Sequence, residues 1–273
     1  MTVRRILPAI EARSIGPFVF LDHIGPVQFQ PGQGMDVRPH PHIGLATVTY
    51  LYDGEILHRD SLGFVQAIKP GDVNWMTAGR GIVHSERTAP ELRAKGFALH
   101  GLQSWVGLPK EAEEVEPSFH HHPAADLPEW EENGVRLKLI AGTAFGRESP
   151  VKIYAPTLYV AAVFAPGAKL TLPAEHAERA VYVASGALTA AGEAVDTAQL
   201  ALFTAGAPVE LIAGPEGAET MLLGGAPMDG PRHMWWNFVS SSTERIEQAK
   251  ADWRASAIGK VPGDDEFIPL PEH

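Results

Sequence analysis

The stretch from Ile43 to Leu51 reads Ile-Gly-Leu-Ala-Thr-Val-Thr-Tyr-Leu. Its β-branched and aromatic residues predict a strand, closed by a turn at Tyr52-Asp53-Gly54. From Lys69 to Gly81 the pattern is a turn at Lys69-Pro70-Gly71, a short strand through Val73-Asn74-Trp75-Met76-Thr77, and a glycine-rich turn at Ala78-Gly79-Arg80-Gly81. Short strands punctuated in this way predict a small β-barrel. Past Leu108 the pattern lapses. Lys110-Glu111-Ala112-Glu113-Glu114-Val115-Glu116 is charged, and Pro117, Pro123 and Pro128 interrupt any regular element. Strand patterning resumes from Val135 to about Gly225. Near the end the period changes. Ser241-Ser242-Thr243-Glu244 has the S-x-x-E form of a capping box, and Ile246, Ala249 and Trp253 follow at helical spacing. One amphipathic helix packed on a barrel is predicted there, followed by an extended acidic tail from Pro262 to Pro269. The expected division is a first barrel over residues 1–108, a surface connector over 109–134, a second barrel over 135–240, and a helix with tail over 241–273.

Composition agrees with this pattern. The 273 residues suit one large or two medium domains, and 27 Gly with 23 Pro fit a turn-rich β protein. A hydrophobic fraction of 45% and a charged fraction of 20% are ordinary for a globular chain. The formal charge of −11 argues against direct binding to nucleic-acid phosphates, but leaves a protein partner open. With no cysteine there are no disulfides and no thiolate ligands. No secretory apolar segment forms near the N-terminus. The apolar run from Leu158 to Ala165 is too short to span a bilayer, so a cytoplasmic protein away from membranes is expected. P-loop, dinucleotide and Gly-x-Ser-x-Gly signatures are absent.

Two pairs carry the candidate chemistry. His40 and His42 are two apart in Arg38-Pro39-His40-Pro41-His42; His84 and Glu86 are two apart in His84-Ser85-Glu86. In a strand, residues i and i+2 share a face, so each pair can aim two ligands at one point. Three imidazoles and a carboxylate suit a redox-capable divalent ion such as Fe(II), Mn(II), Ni(II) or Cu(II), not Ca²⁺ or Mg²⁺. An octahedral ion held by four side chains keeps two open positions.

The second strand-rich block echoes the first. Tyr50-Leu51-Tyr52-Asp53-Gly54 resembles Tyr182-Val183-Ala184-Ser185-Gly186, and Met76-Thr77-Ala78-Gly79 resembles Phe203-Thr204-Ala205-Gly206, which suggests a duplicated barrel. In these registers His40 and His42 fall opposite Leu172 and Ala174, and His84 and Glu86 opposite Leu211 and Ala213. All four are apolar, and His176 nearby is at best a lone ligand. The second barrel is therefore expected to carry no metal.

Other polar residues invite structural roles. His58 and Asp60 flank Arg59 and are expected to share a hydrogen bond, with support of the metal ligands as the alternative. His23 is expected to anchor a loop, and His100 to lie satisfied in an interior strand. His120-His121-His122 is expected in a solvated loop, and Trp235-Trp236 in packing.

The motifs Phe20-Leu21-Asp22-His23-Ile24-Gly25-Pro26, His40-Pro41-His42-Ile43-Gly44, His58-Arg59-Asp60-Ser61-Leu62-Gly63 and the run from Pro70 to Glu86 resemble the pirin family of the cupin superfamily. The resemblance is specific from Phe20 to Glu86 and mainly architectural from Glu111 onward. It implies an all-β fold of two cupin (double-stranded β-helix) barrels in tandem, with a short C-terminal helix. It also implies one metal in the first barrel on His40, His42, His84 and Glu86: iron first, with manganese, nickel, copper, cobalt and zinc as alternatives. Many pirins carry a glutamate where this chain has Ala46, so an acid near the pocket is expected to be missing. The implied activity is that of a quercetin 2,3-dioxygenase, with a flavonol or other phenolic and O₂ as substrates. The alternative is a non-enzymatic, redox-sensitive iron protein that regulates a transcription factor or metabolic enzyme.

Overall fold

The computed structural model describes residues 1–272, and they form two compact units. One gathers Met1–Arg5, Phe20–Ala124 and the residues from Asp229 onward; the other gathers Ile6–Val19 and Ala125–Met228. This division differs from four consecutive stretches. Residues 109–124 and the C-terminal segment go with the first barrel, and packing explains why. Ser118–His122 is a strand paired antiparallel with Val73–Thr77, so His120, His121 and His122 are not in a loop. Their alternation along that strand separates His121, which bonds Asn74, from His120 and His122. The charged run before it is tied down as well. The buried Glu113 pairs with Arg232 Nε at 2.7 Å and accepts from the Ser241 amide at 2.9 Å.

A six-stranded sheet and a four-stranded sheet make the first barrel. The six-stranded order is Val3–Leu7, Phe18–Phe29, Phe97–Gly107, Leu45–Asp53, Val73–Thr77, Ser118–His122. The four-stranded order is Asp36–His42, Ile82–Arg87, Ile56–Asp60, Val65–Ile68. The Asp36–His42 strand is bulged between Val37 and His40, where Pro39 has no N–H to give the ladder. His23 lies buried in the Phe18–Phe29 strand rather than in a loop, with its Nε2 2.7 Å from His100 Nε2.

The C-terminal helix Thr243–Arg254 buries Ile246, Ala249 and Trp253, as the spacing predicts. Its cap is Ser242, whose Oγ accepts from the Arg245 amide at 3.2 Å, one residue later than the capping-box reading. The helix packs with Ile43, Val83 and Phe238, and Trp235 and Trp236 pack against the same cluster. Gly44, at φ 68°, makes this approach possible, because a side chain there would strike the Val239 carbonyl.

The second unit is a nine-stranded sheet whose central strands are Thr157–Phe164, Val209–Gly225 and Glu178–Ala190. Its interior is a continuous apolar cluster that includes Leu137, Val160, Leu172, Val183, Leu211 and Ala213. Ala174 is exposed, and His176 bonds the Thr143 carbonyl at 2.8 Å. Among the described residues no helix is long and apolar enough to cross a membrane.

Candidate metal centre

The four-stranded sheet of the first barrel brings the candidate ligands to one face. His84 stands directly opposite His40 on one neighbouring strand and Asp60 on the other, and Glu86 stands opposite His58. Directly opposed residues share a face, and His42 follows His40 at i+2. The ligand nitrogens of His40, His42 and His84 lie within 4.8 Å of one another, and all three residues are buried. Glu86 extends the same face but is not part of that cluster. Its Oε1 accepts from Gln103 Nε2 at 2.9 Å.

Each ring is held from behind. His40 Nδ1 is 2.9 Å from the Arg38 carbonyl, and His42 Nδ1 is 3.2 Å from the Asn237 carbonyl. A carbonyl can only accept, so both rings carry their proton on Nδ1 and keep a lone pair on Nε2. His84 Nδ1 faces His58 Nδ1 at 3.4 Å, and His58 Nε2 meets Asp60 Oδ2 at 2.9 Å. The hydrogen bond expected between His58 and Asp60 is therefore present, and His58 also touches a candidate ligand.

The face suits a cation. His42 Nε2 and His84 Nε2 are 3.1 Å apart. Two imidazoles bound cis to one first-row ion, at about 2.1 Å each, stand about 3.0 Å apart. Burial drives the His40 ring from its ordinary value near 6.5 down to about 4, despite the Arg38 carbonyl. Burial also drives His42 and His84 well below that ordinary value, and repulsion among the neighbouring rings adds to it. Neutral rings are the ligand form. Burial pushes the Glu86 carboxyl upward, against the hydrogen bonds from Gln103 and Thr49. A buried carboxylate of this kind gains from a divalent ion beside it.

Aromatic rings close the surroundings. Trp105 and the His42 ring make a T-shaped contact at 5.2 Å between centroids, and Phe119 stacks on His58 at 4.2 Å. On the facing sheet Thr49 reaches Glu86, and Thr47 shares its side of the strand, opposite Trp105. Ala46 is on the other side of that unbroken strand, fully buried. The expectation of a missing acid near the pocket is corrected by this alternation: a carboxylate at position 46 would point away from the metal side.

A pair of β-barrels with three converging imidazoles inside one of them defines a double cupin with a potential metal site. The chain belongs to the pirin family: the family model described as Pirin matches residues 1–106, and that described as Pirin C-terminal cupin domain matches residues 159–259. It is 54% identical over 275 residues to a pirin-like protein of Caulobacter vibrioides, covering 99% of this chain and 94% of that one. It is 32% identical over 264 residues to human pirin, covering 94% and 88%. A crystal structure of quercetin 2,3-dioxygenase from Acinetobacter baumannii superposes with a TM-score of 0.92 at 33% identity, covering 99% of this chain and 90% of that one.

Proposed function

We propose that this protein is a metal-dependent dioxygenase of the pirin kind, acting on quercetin or a related flavonol or phenolic. The observation that carries the reading is the convergence of three buried imidazoles within 4.8 Å, two of them locked by main-chain carbonyls into the ligand tautomer. Likeness to the quercetin 2,3-dioxygenase of Acinetobacter baumannii supports the substrate class. In this reading His40, His42 and His84 bind the ion through Nε2, and Glu86 supplies a carboxylate oxygen. A bound divalent first-row ion, iron first among the candidates, would supply a redox-active Lewis acid with open positions. Arg38 and Asn237 orient two of the rings. Gln103 and Thr49 orient Glu86, and Trp105 limits water around His42. The overall reaction inserts both atoms of O₂: the flavonol ring opens to a depside ester and one carbon leaves as CO.

The test is anaerobic purification, metal analysis, and O₂ uptake with quercetin, with the ester followed by mass spectrometry and CO captured by haemoglobin. Uptake by the loaded protein should vanish in His42→Ala. Loaded protein that consumes no more O₂ than the same metal free in buffer, across flavonols and catechols, would sink the reading. A second reading, a non-enzymatic metal-dependent regulator acting through a protein partner, draws on one observation. His40, His42, His84 and Glu86 are each 6% exposed or less, which leaves a substrate little access. A full complement of metal without O₂ uptake on any phenolic favours that reading.

A further inference from the structure

We propose that Asp60, acting through His58, sets the position of the proton on His84 and so decides whether that ring offers a lone pair to a metal. The inference deepens the metal reading and rests on it. Asp60 is fully buried, and its Oδ1 accepts from the amides of Leu62 and Phe64 at 2.9 and 3.1 Å. Its Oδ2 is left for His58 Nε2 at 2.9 Å. A carboxylate oxygen only accepts, so His58 carries its proton on Nε2 and has a lone pair on Nδ1. That lone pair faces His84 Nδ1 at 3.4 Å, while the His42 Nε2 lone pair stands 3.1 Å from His84 Nε2. The carboxylate behind His58 makes its Nδ1 the stronger acceptor, since His42 is backed only by a neutral carbonyl, and this assigns the His84 proton to Nδ1. His84 Nε2 is then bare, 3.1 Å from His42 Nε2, whose own proton is committed to the Asn237 carbonyl. One carboxylate thereby fixes two rings in series. His40 and His42 are set by backbone atoms; His84 is set by side chains, and so can be reset by substitution.

Asp60→Asn makes the logic testable. The two turn amides need an acceptor, so the amide oxygen stays on them and the –NH₂ group faces His58 Nε2. His58 must then accept at Nε2 and carry its proton on Nδ1. His84 accepts at Nδ1 and its proton moves to Nε2, directed at His42. An isosteric change that keeps the turn therefore replaces the lone pair on the metal side with a proton. Residues that orient a metal-binding histidine in this way affect affinity by about 10–100-fold.

The experiment is long-range ¹H–¹⁵N correlation of the imidazole rings in metal-free, ¹⁵N-labelled protein at pH 8, paired with competition for Zn²⁺ against a chelator. Wild type should show His84 with its proton on Nδ1. Asp60→Asn should show it on Nε2, with Zn²⁺ binding about 10–100-fold weaker and little change in thermal midpoint. His58→Phe keeps the Asp60 turn and a ring against Phe119. With no acceptor left at Nδ1, the His84 proton should move to Nε2, toward His42, which keeps the test decisive if Asp60→Asn does not fold. A wild-type His84 protonated on Nε2, an Asp60→Asn spectrum and affinity equal to wild type, or a pure Nδ1 tautomer in His58→Phe each overturns the proposal. Wild-type protein with the expected tautomers but no Zn²⁺ binding would instead remove the metal reading and leave the proton arrangement standing.

Discussion

In the first barrel the strands turn His40, His42, His58, Asp60, His84 and Glu86 inward; in the second, they turn inward Leu137, Val160, Leu172, Val183 and Leu211. The two architectures are of one kind, so the difference lies in what fills them. Buried polar groups are costly unless partnered. In the first barrel each candidate ligand has a partner behind it: a carbonyl, an amide or another ring. In the second, apolar packing fills the interior. Its buried guanidinium, Arg179, is met by the carbonyls of Pro173, Thr204 and Ala207 at 2.9, 2.9 and 2.7 Å. A barrel can thus be lined with candidate ligands or filled with apolar side chains by its inward positions alone, provided the polar version is closed by hydrogen bonds.

The sharpest way to break this comparison is to remove a ligand. His42→Ala should take metal content from about one ion per chain to near zero by elemental analysis. Wild type should also lose thermal stability in chelator, because an ion at a thousand times its dissociation constant stabilises by about 4 kcal/mol; the variant should not respond. Retained metal in His42→Ala would show that the inward histidines are not what distinguishes the first barrel. Next comes the inert side. Leu211→Ala should cost about 2–5 kcal/mol in urea unfolding and leave the metal content of the folded protein unchanged. A metal content that falls with it would mean the two interiors are not separable.

How much of this was legible depended on period. The His-x-His and His-x-Glu pairs announced themselves because a strand puts i and i+2 on one face, and the apolar run of the second block announced its filled interior. His58-x-Asp60 carried the same signal, and the hydrogen bond was read from it. What escaped was its neighbour, because only the register places Asp60 beside His84. The Asn237 carbonyl behind His42 had no signal at all: a backbone atom 195 residues away leaves no mark on composition or spacing. The His120 triplet escaped as well, because flanking prolines suggest a loop where they bound a short strand. The side that Ala46 takes had no signal either, because only the structure shows Thr49 reaching Glu86 and so fixes the alternation of that strand.

Acidity sharpens the comparison at smaller scale. Burial, with repulsion from His100 and Arg4 beyond it, holds the His23 ring at about 4, below its ordinary value near 6.5. Between those values an unfolded chain takes up a proton that the native protein refuses. Stability therefore falls as pH drops from about 6.5 to about 4 and is unaffected by this ring above that window. The loss should be on the order of 2–3 kcal/mol. His23→Gln should flatten the difference in denaturation midpoint between pH 7.5 and pH 4.5, and an unchanged difference would show that His23 is not its source. The smallest effect expected is at the helix cap. Ser242→Ala should cost about 1 kcal/mol in urea unfolding, and a neutral result would locate the hold on that helix in Ile246, Ala249 and Trp253 alone.

The carbonyl behind His42 also has a consequence in time. Translation runs from the N-terminus, and Ala125–Met228 leaves the ribosome before Asn237 does. A nascent chain can therefore display His40, His42 and His84 long before the segment that sets the His42 proton and brings Val239 against Ile43 exists. Until then the His42 ring is free to choose its tautomer and its angle. The finished cradle is a late event of biosynthesis, completed after the second unit has been made, and a prematurely terminated chain would keep the three imidazoles but lack the carbonyl that orients His42.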